Sequence, residues 1–285
     1  MSLTKYNIQY IIYTAIILTI EMRGENIMKK FNHVIVRRPC RAIKDGISGG
    51  TYEGIPDYDL AIKEHNEYIA ALIQCGVDVT VLPADERYPD SCFVEDPALI
   101  TRECAIITNP GAESRKGEEK EIVDVIRRFF PEDRIEHIQD PGTLEGGDVM
   151  MVGDHFYVGR SARTNEEGIR QLTEILAKYG MTCSEVKLDE VLHLKTGINY
   201  LENNHMLVSG EFVTKADFVD YDKTVIPEDE AYAANCIWVN DTVIVPEGYP
   251  TVLKAVQDMG YKTLVVDTSE YRKIDGGLSC LSLRF

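Results

Sequence analysis

Four short segments of this chain carry side chains of the types that perform nucleophilic catalysis. The first is Asp275-Gly276-Gly277-Leu278-Ser279-Cys280-Leu281, with Cys280 five positions from the carboxyl end. Its paired glycines permit backbone geometry closed to other residues and leave room for a ligand to come close. A free cysteine more often packs as a small hydrophobe, so Cys280 reads as a nucleophile only if partners of the right kind accompany it. The second segment, Tyr88-Pro89-Asp90-Ser91-Cys92-Phe93-Val94-Glu95-Asp96-Pro97, sets Asp90, Glu95 and Asp96 around an apolar triplet. In extended chain Glu95 and Asp96 point to opposite sides, unless a turn or bulge brings them together. A solvated loop is the plain alternative. Buried, such carboxylates need a cation, which a guanidinium or ammonium ligand would supply.

The third segment, Thr143-Leu144-Glu145-Gly146-Gly147-Asp148-Val149, reads as a tight turn that presents Glu145 ahead of a strand. Its double glycine is not a phosphate loop: the flanking acids would repel phosphate, and no GxxxxGK[ST] is present. The fourth, Val191-Leu192-His193-Leu194-Lys195-Thr196-Gly197, sets His193 in an apolar run, where a satisfied core histidine is the commoner reading. Taken together, a thiol, an imidazole, a carboxylate to orient it and further acids for a cation make an activated-nucleophile set. Arg115 and Arg163 each precede a helical pattern. They are either surface charge or a bidentate clamp for a ligand carboxylate.

These segments are far apart in sequence, so regular elements must bring them together. Apolar stripes of period 3.6 predict four helices: Ile62, Ile69, Leu72 and Ile73 with His65; Ile122, Val125, Ile126 and Phe129; Ile169, Leu172, Leu176 and Tyr179 behind an Asn165 cap; Val252, Leu253, Val256 and Met259. Short β-branched runs predict strands at 77–82, 105–108, 149–152, 155–158, 237–239 and 243–245. Gly153-Asp154, Asn203-Asn204 and Asn240-Asp241 form hairpin tips between apolar runs, and Arg102-Glu103 occupies a similar place. The tips recur every ~40–50 residues, the mark of a repeat or propeller architecture, here of about five units. No linker interrupts residues 28–285, which read as one α/β domain.

The formal net charge of −17 argues against nucleic acid and anionic membrane surfaces as partners. The seven cysteines are dispersed with no CxxC pair, and the six histidines show no HExxH. This pattern argues against a disulfide framework and a zinc cage, and for a reducing compartment. Ile8–Ile20 is an apolar run too short to span a bilayer, without a small-residue cleavage site behind it. Residues 1–27 therefore read as an extension outside the fold, with Met28 as the expected start.

The ordered series LPADER, FVEDP, PGAESR, LEGGDV, VGDHFYVG, SARTN, HLKTG, YAANCIWVN and DTSEYRKIDGG-SC, from about Lys30 to Phe285, closely resembles the bacterial dimethylarginine dimethylaminohydrolases of the pentein superfamily. The resemblance implies a five-fold pseudosymmetric α/β propeller. It also implies Cys280 as nucleophile, His193 as general acid/base and Glu145 as the carboxylate that orients the histidine. Asp90, Glu95 and Asp96 match substrate-binding acids, and Arg115 and Arg163 the arginines for the amino-acid carboxylate. Ile47 and Ile274 match positions at the amino-acid end of the substrate, and Asp45–Gly50 a mobile lid. Asn109 departs from the family pattern, which has arginine there. The implied reaction is hydrolysis of N-omega-methylated arginine to citrulline and an amine, in the cytoplasm, with no metal or organic cofactor and with a homodimer left open. Arginine deiminase and amidinotransferase chemistry would use the same residues. A non-catalytic propeller that binds a partner would have no need of them.

Overall fold

The structure is a computed structural model and describes residues 31–52 and 54–285. The expected extension at 1–27 lies outside these residues. Five three-stranded sheets make up the fold, each an antiparallel pair joined by a parallel third strand. In chain order the strands are β1 (His33–Arg37), β2 (Asp78–Leu82), β3 (Ala98–Ile100), β4 (Ala105–Ile107), β5 (Ile135–His137), β6 (Val149–Val152), β7 (His155–Arg160), β8 (Thr182–Lys187), β9 (Ile198–Tyr200), β10 (His205–Val208), β11 (Asp222–Val225), β12 (Ile237–Val239), β13 (Thr242–Pro246), β14 (Lys262–Val266) and β15 (Leu283–Arg284). Four sheets use consecutive strands, β3 to β5, β6 to β8, β9 to β11 and β12 to β14. The remaining sheet is β15–β1–β2, so the end of the chain pairs with its beginning, Ile35 opposite Leu283 and Val34 opposite Arg284. This is the five-unit α/β propeller that the spacing of the hairpin tips predicts.

The tips form for the expected reason. Asn203, Asn204, Asn240 and Asp241 all have positive φ, the conformation a two-residue hairpin turn demands and asparagine tolerates. At Arg102-Glu103 the device is different. The Thr101 hydroxyl accepts from the amides of Glu103 and Cys104 and closes the turn from within.

Between the second and third strands of each unit the chain crosses over. Four crossovers contain the helices read from periodicity: α1 (Tyr58–Gln74), α2 (Lys120–Ile126), α3 (Glu166–Lys178) and, after the one-turn α4 (Leu194–Gly197), α5 (Pro250–Asp258). A last short turn, α6, covers Ser269–Arg272. In the β9–β11 unit the crossover is instead a pair of 3-10 turns held by the buried Phe212 and Phe218, which is why no fourth-unit stripe shows in the sequence. Asn165 caps α3 as predicted, accepting from the Gly168 amide at 2.8 Å, a contact typically worth ~1 kcal/mol. One stripe is rotated. Ile73, expected on the buried face of α1, is 58% exposed, because that face is centred on Ala61, His65, Tyr68 and Leu72.

The apolar core is divided among neighbours. One cluster joins Leu99, Ile106 and Ile138 of one unit to Val149, Phe156, Leu172 and Leu176 of the next. Others join Met150 and Val186 to Met206 and Phe212, Leu207 to Trp238 and Val243, Ile244 and Val266 to Val34 and Leu72, and Ile35 and Leu283 to Ile107 and Ile122. Each unit thus buries its apolar faces against both neighbours, which leaves the inner ends of the sheets to carry polar groups. Among the described residues no helix is long and apolar enough to cross a membrane.

One enclosed titratable group sets an acid limit on the fold. Burial, assisted by the Arg38 charge, pulls His65 on α1 down to about 4. The unfolded chain therefore binds this proton at higher pH than the folded chain, and stability falls as pH drops from about 6.5 to about 4. Denaturant midpoints of the wild type and His65→Leu across this range should diverge, with the wild type losing more on the acid side.

Candidate active site

Cys280 lies in a 3-10 turn, Ser279–Leu281, immediately before β15. The turn is gripped from several sides. The Tyr68 hydroxyl of α1 lies 2.9 Å from the Leu278 carbonyl and 2.6 Å from Ser282 Oγ. The Glu95 amide donates to the Cys280 carbonyl at 3.2 Å. The Gly277 amide points at Cys280 Sγ, 3.5 Å away. Gly276 is needed for close approach: a Cβ there would fall 2.3 Å from the Phe93 ring.

His193 precedes α4, a position fixed by Asp148, whose Oδ1 accepts from the Leu194 amide at 3.0 Å while Oδ2 accepts from Ser161 Oγ at 2.6 Å. Its Nε2 lies 2.8 Å from Glu145 Oε2. Glu145 is itself 1% exposed, with Oε1 accepting from the Ala112 amide at 3.0 Å. The imidazole sits over Gly147, where a Cβ would fall 2.9 Å from the ring. The double glycine is therefore the floor beneath the histidine. Asn109 supports the same turn, donating to the Gly142 carbonyl at 2.7 Å and to Asp140 at 2.9 Å.

The two acids of Phe93-Val94-Glu95-Asp96 diverge, because the segment is a series of turns. Glu95 meets Lys195 Nζ at 2.5 Å through Oε1 and accepts from Ser279 Oγ at 2.9 Å through Oε2. Asp96 accepts from the Gly147 amide at 2.9 Å and pairs with Arg115. Arg115 is enclosed, and its guanidinium also bonds Glu118 and the Phe93 carbonyl. It thus holds the acidic segment together, whereas Arg163, 3.6 Å from Glu145, keeps more exposure to the cavity. Asp90 accepts from the Ile47 amide at 3.0 Å, and Asp275 accepts from the Gly49 amide, so the 46–50 loop is latched over the site by two carboxylates.

All ten residues singled out from the sequence border one cavity system. Ile47, Glu95, Arg163, His193 and Cys280 line a chamber of about 820 Å³. Ile47, Asp90, Asp96, Arg115, Glu145, Arg163, Ile274 and Cys280 line an adjoining lobe of about 40 Å³. The chamber also has an apolar wall of Val191, Leu192, Ile226, Ala231 and Tyr232. Asp148, Lys195, Ser279, Glu118 and Asn235 were not singled out. Asp148, Lys195 and Ser279 lie within three of the four segments, but nothing in their spacing announces the bonds they make.

Charge sets the protonation states. Burial, then the fields of Glu95 and Asp96, push Cys280 up to about 12. Burial pulls His193 down, but the Glu145 bond and the Asp148 and Asp96 charges outweigh it and lift the imidazole to about 9. At neutral pH the cavity thus holds both a thiol and an imidazolium. Asp96, Glu145 and His193 bring ligand atoms within 4.8 Å of one another, a spacing open to a cation. Each already has a protein partner, and an imidazolium offers no lone pair to a metal.

A family model described as "N,N dimethylarginine dimethylhydrolase, eukaryotic" matches residues 57–229. The N(G),N(G)-dimethylarginine dimethylaminohydrolase of Pseudomonas aeruginosa is 57% identical over 255 residues, 90% of this chain and 100% of the relative. A crystal form of DDAH from Pseudomonas aeruginosa, a cysteine-to-serine mutant complexed with citrulline, superposes with a TM-score of 0.89 at 56% identity, covering 90% and 100% of the two chains. A dimethylarginine dimethylaminohydrolase histidine-to-glycine adduct with S-methyl-L-thiocitrulline gives 0.88 at 57% identity over the same shares.

The histidine's charge is open to direct measurement. Its imidazole NMR signals should titrate near 9 in the free protein, and Glu145→Gln should bring that value down, because the bonded carboxylate is what favours the cation. An unchanged titration in the variant would remove Glu145 from this role.

Proposed function

The chain belongs to the dimethylarginine dimethylaminohydrolase family, and we propose that it hydrolyses N-omega-methylated arginine to citrulline and a methylamine through a covalent adduct on Cys280. The observation that carries this reading is the pairing of a thiol with an imidazolium inside a cavity rich in carboxylates. Such a cavity favours a flat cationic headgroup, and the headgroup's own charge makes its central carbon electrophilic.

The substrate guanidinium enters beside Glu95 and Asp96 and offsets part of their field, which lowers the cost of ionising Cys280, whose proton passes to solvent because His193 is already charged. The thiolate attacks the guanidinium carbon and forms a C–S bond. His193, already protonated, delivers its proton to the alkylated nitrogen, so that the C–N bond breaks with loss of neutral dimethylamine rather than an amide ion. A thiouronium remains on sulfur. Neutral His193 then takes a proton from water, whose oxygen attacks the same carbon, and collapse expels sulfur and releases citrulline. Glu145 holds the imidazole in register throughout.

Arg163 meets the substrate carboxylate, with Arg115 behind it bracing the acids. The Ile47 and Ile274 carbonyls and Asp90 serve the ammonium end. The apolar wall of Leu192, Ile226 and Ala231 beyond Cys280 gives the methyl groups a place, and this favours methylated substrates over arginine. A cytoplasmic setting accords with seven unpaired cysteines.

Citrulline formation from asymmetric dimethylarginine, monomethylarginine and arginine in parallel tests the assignment: both methylated substrates should turn over faster, and a preference for arginine would overturn it. Cys280→Ser should cut kcat by at least ~10⁴-fold. Arg163→Ala should raise KM by ~10–100-fold, the worth of a charged hydrogen bond to substrate.

A further inference from the structure

Behind the nucleophile lies a side chain that the chemistry above does not use. Asn235 ends the 3-10 stretch Glu228–Ala234, ahead of β12, and is 7% exposed. Its Oδ1 accepts from the Ser279 amide at 2.9 Å, and its Nδ2 donates to Ser279 Oγ at 3.1 Å and to the Lys195 carbonyl at 3.1 Å. Ser279 directly precedes Cys280, and Lys195 follows His193 by two residues. One carboxamide therefore spans the turn that carries the sulfur and the turn that carries the imidazole.

Two further features mark this as a built contact. A Cβ at Gly277 would lie 2.6 Å from Asn235 Cγ and 2.7 Å from Nδ2, so the glycine clears the space the amide occupies. The bonds also close into a ring: Ser279 Oγ donates to Glu95, Glu95 binds Lys195 Nζ, and the Lys195 carbonyl returns to Asn235. The amide's orientation is dictated by backbone partners, since only oxygen can accept from the Ser279 amide and only nitrogen can donate to the Lys195 carbonyl.

We propose that Asn235 is a positioning residue that couples the Cys280 turn to the His193 turn, and so holds the imidazolium in line with the departing amine. The proposal rests on the hydrolase reading above. A loosened coupling harms most the step that needs sulfur and imidazole together, which is proton delivery to a poor leaving group. A substrate whose leaving group departs unaided is affected far less in this first step, while hydrolysis of the shared thiouronium draws on His193 for both substrates.

The test compares dimethylarginine with S-methyl-L-thiocitrulline, whose methanethiolate leaves without a proton. Asn235→Ala should lower kcat for dimethylarginine by ~10²-fold, the low end of what a general acid contributes, with KM within ~3-fold. Read as the single-turnover release of the leaving group, which precedes the hydrolysis common to both substrates, the fall for the thiocitrulline should be at least ~10-fold smaller than that for dimethylarginine. Equal falls on both substrates would mean a structural role only and would overturn the proposal, as would no fall on either. Should Asn235→Ala fail to fold, Ser279→Ala removes the Oγ corner of the ring, its bonds to both Asn235 and Glu95, and must show the same unequal losses, with equal or absent losses again overturning it. A wild type inactive on dimethylarginine would sink the functional reading and this inference with it. An active wild type with evenly impaired variants sinks this inference alone.

Discussion

The site is organised by an imbalance of buried charge. Asp90, Glu95, Asp96, Glu118, Glu145 and Asp148 crowd one region of the interior, all 4% exposed or less, with Arg115, Arg163, Lys195 and Arg284 as fixed cations. Taking carboxylates out of water is tolerable only where positive charge or hydrogen bonds replace the hydration. The protein supplies part of that: Arg115 between Asp96 and Glu118, Lys195 on Glu95, and backbone amides on Asp90, Asp96, Glu145 and Asp148. The remainder appears as displaced proton affinities. Burial raises Asp90, Glu118 and Asp148, and the same fields charge His193 and keep Cys280 protonated. A bound cation relaxes all of these at once, which makes ligand binding and thiol activation one electrostatic event.

A ring of small sheets suits such a cluster. Because each unit spends its apolar surface on its two neighbours, the inner ends of the sheets owe nothing to a central core and are free to carry polar groups. The side chains proposed to carry the chemistry accordingly sit on connections: Glu145 just before β6, His193 just before α4 and Cys280 just before β15. Rigidity in these connections comes from close approach. Gly146 would place a Cβ 2.0 Å from the Glu95 carbonyl, and Gly168 one 2.0 Å from the Thr143 carbonyl. These glycines let backbone segments from different units touch where a side chain would hold them apart.

Much of this is legible in the amino-acid sequence. Hairpin tips with left-handed asparagines and helices with clean stripes announce themselves locally, so the repeat and four of its crossovers could be read directly. The crossover without a helix left no periodic trace, and the rotated face of α1 escaped because Ile73 suits a stripe by type but not by angle. Cys280, His193 and Glu145 were recognisable as chemical types with a family resemblance to assign them. Their neighbours Asn235, Lys195 and Glu118 were not, because a buried amide or ion pair acquires meaning only from the partner across space. Arg115 shows the same limit: nothing in its position in the chain announces its bonds to Asp96 and Glu118.

The pairing of β15 with β1 places the seam of the circle beside the sulfur. His193 and Glu145 belong to interior units whose strands pair with their sequence neighbours, while Cys280 rides on the one segment that must find the opposite end of the polypeptide before it is fixed. Tyr68, reaching from α1 to Leu278 and Ser282, makes the same long-range demand. Completeness is thereby built into the site: the sulfur is set in place only when the last strand has closed on the first described one.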